Sequence, residues 1–508
     1  MPFERSSGLL LHITSLPSQG GVGDLGPAAF AFADFLAASK QRLWQVLPLS
    51  PTGYGNSPYA ALSAFAGNPL LISLEVLADW GWIEKSRLKG LSGAEGDVDF
   101  EKVIAKKVPL LEEAALNFIR KHDEEQWKRF ESYCSTNGTW LNSYAFYAVL
   151  RDKFHGASWN TWPEKLARRD AEAMAEFERE NGEALAVQQA LQFAFDEQWS
   201  ALRAYCGERK IKLIGDIAIF VNYDSADVWT HPELFELHED LSPIRVAGVP
   251  PDYFSATGQR WGNPLYRWDV LDQQNYYWWV DRVRRAQYLY DIIRLDHFRG
   301  FEAYWSIPAE NDTAVDGEWI KAPGAKLFQR LRDDLGELPF IAEDLGVITA
   351  EVDALREQFQ LPGMRISQFG FGSRHAHNYL PHHYIQNCVV YTGTHDNNTT
   401  RAWWDKEASQ VEKQEFTTYL APAKGDEVWA LIRAVETSVA DTCIVPVQDL
   451  LNLGEEARMN MPSRPSGNWN WRVSQKALTE QLAAKLAALV EVTDRDLPES
   501  MNEEIENS

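Results

Sequence analysis

The chain has 508 residues, 45% hydrophobic and 24% charged, ordinary globular values that exclude a mainly disordered protein. Its 49 Lys and Arg against 73 Asp and Glu leave a net charge of −24, which repels polyphosphates and argues against nucleic acid or an anionic membrane as partner. No apolar run reaches the ~18–20 residues that span a bilayer. The N-terminus MPFER carries no signal-peptide pattern, and the four cysteines (Cys134, Cys206, Cys388, Cys443) show no CxxC spacing, so a reduced, cytoplasmic protein is expected.

In chain order, a β-rich run at Gly8–Ser15 leads to the glycines of GVGDLG (21–26) and a predicted helix over Pro27–Ser39, with Phe30, Ala33 and Phe35 on one face. GVGDLG fits GxGxxG, but a dinucleotide site also needs an acidic residue at the end of the next strand. That run, Leu43–Leu49, is followed by Ser50 and Pro51 and holds no Asp or Glu, so a turn is favoured. Helical patterns over Phe100–Lys121, Ser143–Phe154 and Ala184–Glu208 then predict a helical insertion spanning 62–209. After the strand-like run Ile211–Val221, a second insertion covers 223–285. Its Val246–Arg267 stretch, rich in Pro, Gly and aromatics, reads as an irregular lid. Further β-rich runs follow at Asp291–Asp296, Pro339–Asp344, Met364–Phe369, Cys388–Thr394 and Cys443–Asp449. Helices are expected between several of them, one capped by Thr349 and running to Phe359, another over Glu427–Ala440.

Eight near-continuous apolar runs alternating with helices predict a parallel α/β sheet closed as a (β/α)₈ barrel with large insertions. The expected division is 1–61 (strands one and two), 62–209, 210–222 (strand three), 223–285, 286–490 (strands four to eight) and an acidic tail at 491–508. His375, His377, His382 and His383 cluster without Cys or carboxylate and without i, i+4 helical pairing, so a polar loop is favoured over a metal site. No cofactor is expected.

Acids at the ends of the runs carry the chemistry. In a barrel, the C-terminal strand ends converge on one mouth. Asp216 sits in the third run, Asp296 ends the fourth, Glu343 and Asp344 end the fifth, and Asp396 follows the seventh. Arg294 shares a strand face with Asp296 and can hold it ionised. One ionised and one protonated carboxyl is what retaining glycosidic chemistry requires; structural salt bridges are the alternative. The 20 Trp, 18 Tyr and 24 Phe, many in loop-like sequence such as Trp261, Trp403/Trp404 and Trp469/Trp471, suit sugar faces or packing beneath long loops.

Five segments carry a family resemblance: PTGYGNSPY (51–59), GVPPDYFSATGQRWGNP (248–264), IRLDHFRG (293–300), IAEDLG (341–346) and GTHDN (393–397). The similarity runs from LLHITSLP (10–17) to WNWR (469–472). On these, the chain resembles the 4-α-glucanotransferases, the amylomaltase or disproportionating-enzyme family of the α-amylase superfamily. The resemblance implies Asp296 as nucleophile, Glu343 as acid/base and Asp396 as the third carboxylate. It implies Arg294 and His395 on the reacting sugar, Tyr59 stacking on its ring, and Asp216 on the floor of the site. Asp252, Tyr253, Phe254 and Trp261 would form the lid on the acceptor side, and Tyr54 would be a secondary glucan contact. The third run lacks the Asn-His pair with which α-amylases organise calcium, so no metal is expected. The implied reaction moves α-1,4-glucan segments of maltooligosaccharides, starch or glycogen to an acceptor 4-hydroxyl, cyclisation included. Hydrolysis by the same acids, and glucan binding without catalysis, are the alternatives; retention of both Asp296 and Glu343 argues against the latter.

Overall fold

The computed structural model describes residues 3–496 except 92, 94, 252–254, 463 and 465. Twelve strands are numbered in chain order. Eight of them, one from each β-rich run, are β1 (Ser6–Leu10), β2 (Leu43–Gln45), β3 (Lys212–Ala218), β6 (Ile292–Asp296), β9 (Phe340–Ala342), β10 (Gly363–Ile366), β11 (Cys388–Tyr391) and β12 (Thr442–Pro446). They form a closed barrel in the order β1-β12-β11-β10-β9-β6-β3-β2, every pairing parallel. The seam pairs Ser6 through Leu10 with Thr442 through Pro446. Both faces of such strands are covered, one by the barrel interior and one by helices, which is why the runs are apolar throughout instead of alternating.

Several strands are shorter than their apolar runs. Leu43–Leu49 leaves the ladder after Gln45 as Pro48 approaches, although the Val46 amide still donates to the Ile214 carbonyl at 2.9 Å. The GVGDLG segment is a turn: a Cβ at Gly23 would lie 1.8 Å from the Ile13 carbonyl oxygen. The helix that follows, Pro27–Ala38, buries Ala29, Phe32, Ala33, Phe35 and Leu36, leaving Phe30 half-buried. Between β2 and β3 run the helices Phe100–Arg120, Glu124–Lys153 and Ala171–Glu208, the last bent at Asn181. A buried ion pair, Lys107 with Asp24 at 3.1 Å, ties the first of these to the loop after β1.

Half of the segment expected to be irregular is regular. β4 (Arg245–Val249) and β5 (Gln259–Pro264) pair antiparallel, with Val246 and Ala247 fully buried. They join β7 (Ala303–Pro308) and β8 (Glu318–Lys321) in one antiparallel sheet ordered β5-β4-β7-β8. This sheet draws on two connections, β3 to β6 and β6 to β9, and so extends past the 223–285 segment. No helix among the described residues is long and apolar enough to cross a membrane.

The C-terminal end also differs from expectation. Instead of a tail from residue 491, the helix Glu480–Val492 is followed by Arg495, which is fully buried. Its guanidinium donates to the carbonyls of Glu436 (2.8 Å), Ser6 (3.1 Å), Asp441 (3.0 Å) and Ala440 (3.0 Å), and meets the buried Glu436 carboxylate at 3.1 Å. One side chain thus ties β1, β12 and the helix Glu427–Glu436 at the seam. Arg495→Ala leaves Glu436 without this partner in the interior and is expected to cost ~3–5 kcal/mol, read as a lower urea midpoint. Removing both charges, as Arg495→Met with Glu436→Gln, should cost less than the single change.

Candidate active site

Register builds the centre of the site. β3 and β6 run in parallel with Asp216 opposite Arg294 and Ala218 opposite Asp296. Arg294 and Asp296, two apart, share the inner face of β6. The Arg294 guanidinium donates to Asp216 Oδ2 at 2.6 Å and meets Asp296 Oδ1 at 2.8 Å. The Tyr59 hydroxyl donates to the same Asp216 oxygen at 2.8 Å. Side-chain exposure rises along this series, from 0% at Asp216 and 5% at Arg294 to 30% at Asp296, so only the last acid faces the open mouth. Burial pushes the Asp216 carboxyl up, opposed by Arg294. Burial also works against the Arg294 charge, but Asp216 and Asp296 outweigh it and hold that proton firmly.

Glu343 follows β9, and the alternation there separates two adjacent acids. Asp344 turns into the barrel wall, where its carboxylate accepts from the Met364 amide at 2.7 Å and faces Arg365 at 3.4 Å. A side chain at Gly363 would occupy that carboxylate's place, its Cβ 2.2 Å from Oδ2. Glu343 turns to the mouth and accepts from the amides of His297 (2.8 Å) and Leu345 (2.9 Å). Its carboxyl is pushed up to about 7, first by burial and then by the charge of Asp296, against the pull of Arg294 and the two amides. A group so placed carries a proton over much of the neutral range.

Asp396 lies beyond β11 in a turn held by Asn397, whose side-chain oxygen accepts from the Thr394 amide (2.8 Å) and hydroxyl (2.9 Å). Its side chain is 47% exposed, with Asn460 donating at 2.6 Å and the His395 Nε2 3.5 Å from its other oxygen. The His395 ring stacks on Tyr59 with centroids 5.3 Å apart, and Trp469 packs on both at 5.9–6.0 Å. Trp469 holds φ at +68°, rare for a bulky residue and a mark of a conformation imposed by its surroundings.

These elements surround a cleft of about 740 Å³, lined among others by Tyr59, Arg294, Asp296, Glu343 and Asp396. Tyr54, 78% exposed, and Trp261, 39% exposed, line its outer parts. Asp216 and His395 are buried one layer below and reach the cleft through Tyr59, Arg294 and Asp396. Asp252, Tyr253 and Phe254 lie outside the described residues. Trp261 meets His297 edge-on at 4.8 Å. Burial lowers the His297 pKa to about 4, which keeps the ring neutral, and its Nε2 has no hydrogen-bond partner.

Sequence reasoning did not select Asn460, His297 or Trp469 as site residues. Trp469 had a signal, an aromatic in loop-like sequence. His297 sits inside the motif IRLDHFRG, but nothing there foretells its φ of +53°. Asn460 has no local signal, because its partner is 64 residues away. Among the described residues no group of three or more His, Cys, Asp or Glu could hold a metal ion.

The family described as 4-alpha-glucanotransferase matches residues 11–479. A 4-alpha-glucanotransferase of Thermus thermophilus is 48% identical over 503 residues, covering 97% of this chain and all of that one. One from Clostridium butyricum is 42% identical over 489 residues, 96% of this chain and all of the relative. Among solved structures, the amylomaltase from Streptococcus agalactiae in complex with acarbose superposes with a TM-score of 0.93 at 36% identity, covering 97% of this chain and 100% of that one. A barrel mouth with three carboxylates around one arginine, matched in sequence and in shape over nearly its whole length, places this chain in the 4-alpha-glucanotransferase family.

Proposed function

We propose that the chain moves segments of α-1,4-glucan from a donor to the 4-hydroxyl of an acceptor glucan or glucose, by a retaining double displacement at Asp296 and Glu343. The observation that carries this reading is the contrast between the two carboxyls: Asp296 is ion-paired with Arg294 at 2.8 Å, while Glu343 is pushed up to about 7. Such a pair supplies a nucleophile and an acid side by side.

In the first half-reaction an Asp296 oxygen attacks the anomeric carbon as the bond to the leaving 4-oxygen breaks, and Glu343 gives that oxygen its proton. In the second, Glu343 takes the proton of an incoming 4-hydroxyl, whose oxygen displaces Asp296. Two inversions give net retention. Asp396, held by Asn460, would accept hydroxyl hydrogens of the reacting glucose. Tyr59, backed by His395 and Trp469, would stack on its ring, with Arg294 and Asp216 fixing Asp296 and Tyr59. The segment with Asp252, Tyr253, Phe254 and Trp261 would cover the acceptor, and Tyr54 would be a secondary glucan contact at the outer edge of the cleft. The reading includes a cytoplasmic location, where the four free cysteines stay reduced.

Transfer prevails only when a bound acceptor outcompetes water at roughly 55 M; oriented groups reach effective molarities of ~10⁵ M or more. Maltotriose alone is expected to yield glucose plus longer oligosaccharides at constant total reducing ends. Rising reducing ends with only shorter products would make the enzyme a hydrolase instead.

Two variants and one pH profile probe the assignments. Asp296→Asn should lower turnover at least ~10³-fold, and conversion at the parent rate would remove it as nucleophile. Because the Asp296 charge helps raise Glu343, the same variant should shift the Glu343 titration below 7, followed as the carboxyl stretch in difference infrared spectra. In the parent enzyme the sign is fixed by the acid role: glucosylation should fall as pH rises through about 7 and Glu343 loses its proton. Trp261→Ala should raise the ratio of hydrolysis to transfer; an unchanged ratio would take the lid role from that residue.

A further inference from the structure

Seven aromatic side chains are prominently exposed among the described residues. Tyr54, Trp261, Trp319 and Phe369 line the cleft described above. Tyr277 and Tyr288, 60% and 47% exposed, line a second groove of about 430 Å³ that shares no lining residue with the first. Only Tyr419 stands apart from both.

The groove runs between two helices on the flank of the barrel. Tyr277, Asp281, Arg284 and Tyr288, spaced by four, three and four, come from one face of the helix Tyr277–Leu289, a span of ~16 Å. Asn137, Trp140 and Ser143, spaced by three, face them from the helix Glu124–Lys153. The walls are preorganised. The Arg285 guanidinium lies 4.9 Å from the Trp140 ring and 5.1 Å from the Tyr288 ring, and is fixed by the buried Asp196 at 2.6 and 2.8 Å. Phe65 stacks on Trp140 at 6.5 Å and meets Trp278 edge-on at 6.0 Å.

Two features define the ligand. First, the lining charges are matched within the protein: Asp281 by Arg284, Arg285 by Asp196, and His231 by Glu233 at 3.5 Å, while Asp227 accepts from the Ala64 amide at 2.8 Å. Only Asp227 lacks a countercharge, and at 5% exposure on the Ala64 amide it offers little to an ionic ligand. Second, Trp278 lines the groove at 4% exposure with an indole N–H that has no acceptor. A buried donor without a partner is a demand for an oxygen atom. Flat rings for C–H faces and neutral polar groups for hydroxyls match a neutral polyhydroxylated ring, and the enclosed Trp278 N–H gains an acceptor only if that ring turns toward it.

We infer that this groove is a second carbohydrate-binding site, one that holds a stretch of long α-1,4-glucan on the flank of the barrel. It rests on the glucan-transfer reading above and adds to it a discrimination between long and short chains. A chain bound there is kept near the cleft, so its effective concentration rises, whereas maltotriose gains nothing.

The test uses the full chain with Tyr277→Ala and Tyr288→Ala together, both exposed positions. In an Asp296→Asn background, which leaves the glucan unconsumed, native gels containing soluble amylose should show at least a five-fold weaker apparent affinity for the pair than for the parent. Trp278→Phe, which keeps the ring and removes the donor, should weaken it two-fold or more. In the active enzyme the tyrosine pair should leave maltotriose disproportionation within two-fold and lower the rate on limiting amylose about five-fold. Retardation equal to the parent's, or rates on both substrates falling together, overturns the inference. The two readings fail separately: an active-site failure shows as no oligosaccharide ladder from maltotriose, a groove failure as a normal ladder with unchanged retardation.

Discussion

One guanidinium group organises the active site. Arg294, almost wholly buried, stands between Asp216 and Asp296 and is the cation that both acids face. Without it two carboxylates would share a poorly hydrated mouth, and one of them would take up a proton. The dependence spreads outward from there. Asp216, once ionised, gives the Tyr59 hydroxyl an acceptor; Tyr59 then has a fixed plane on which His395 and Trp469 pack. Asp296 in turn supplies part of the field that keeps Glu343 protonated. The two carboxyls proposed as acid and nucleophile are therefore set by one another through the same cation, not tuned independently.

Transfer between sugars adds a second requirement, since a glucosyl-enzyme in a wet cleft is lost to water. In this 4-α-glucanotransferase the mouth is flanked by a sheet assembled from two connections, and its two edge strands each bring a tryptophan, Trp261 and Trp319, to the cleft. Trp319 packs under the Arg299 guanidinium at 3.8 Å, and Trp261 against His297. These aromatic edges are anchored to the loop that directly follows Asp296, so the proposed cover and the proposed nucleophile share a support.

Much of this was legible in the sequence, for identifiable reasons. Strands buried on both faces write themselves as apolar runs, and all eight could be read. Period-two alternation put Arg294 and Asp296 on one face. It also required Glu343 and Asp344 to diverge, but could not say which turned inward; Gly363, which makes room for Asp344, decides it through a neighbouring strand. Strand ends were overestimated where an apolar run continued past a proline, as after Gln45. β7 and β8 were missed because they are short, rich in aromatics and paired across an insertion, so no local signal announces them. Asn460 and Arg495 act entirely through partners distant in the chain, and the composition around Arg495 reads as solvent-exposed.

The seam of the barrel has a kinetic meaning. Of the eight barrel strands β1 is made first, yet its partners are β2 on one side and β12 on the other, and its Ser6 carbonyl is held by Arg495. At ~5–20 residues per second, roughly 25–100 s separate the synthesis of Ser6 from that of Arg495. Until β12 is made, for most of that interval, one edge of β1 has no strand to pair with, and unpaired edges invite association with other chains. The nascent barrel is an open sheet until its eighth strand emerges, so the geometry around Arg294 closes only if that edge stays free of other chains during synthesis.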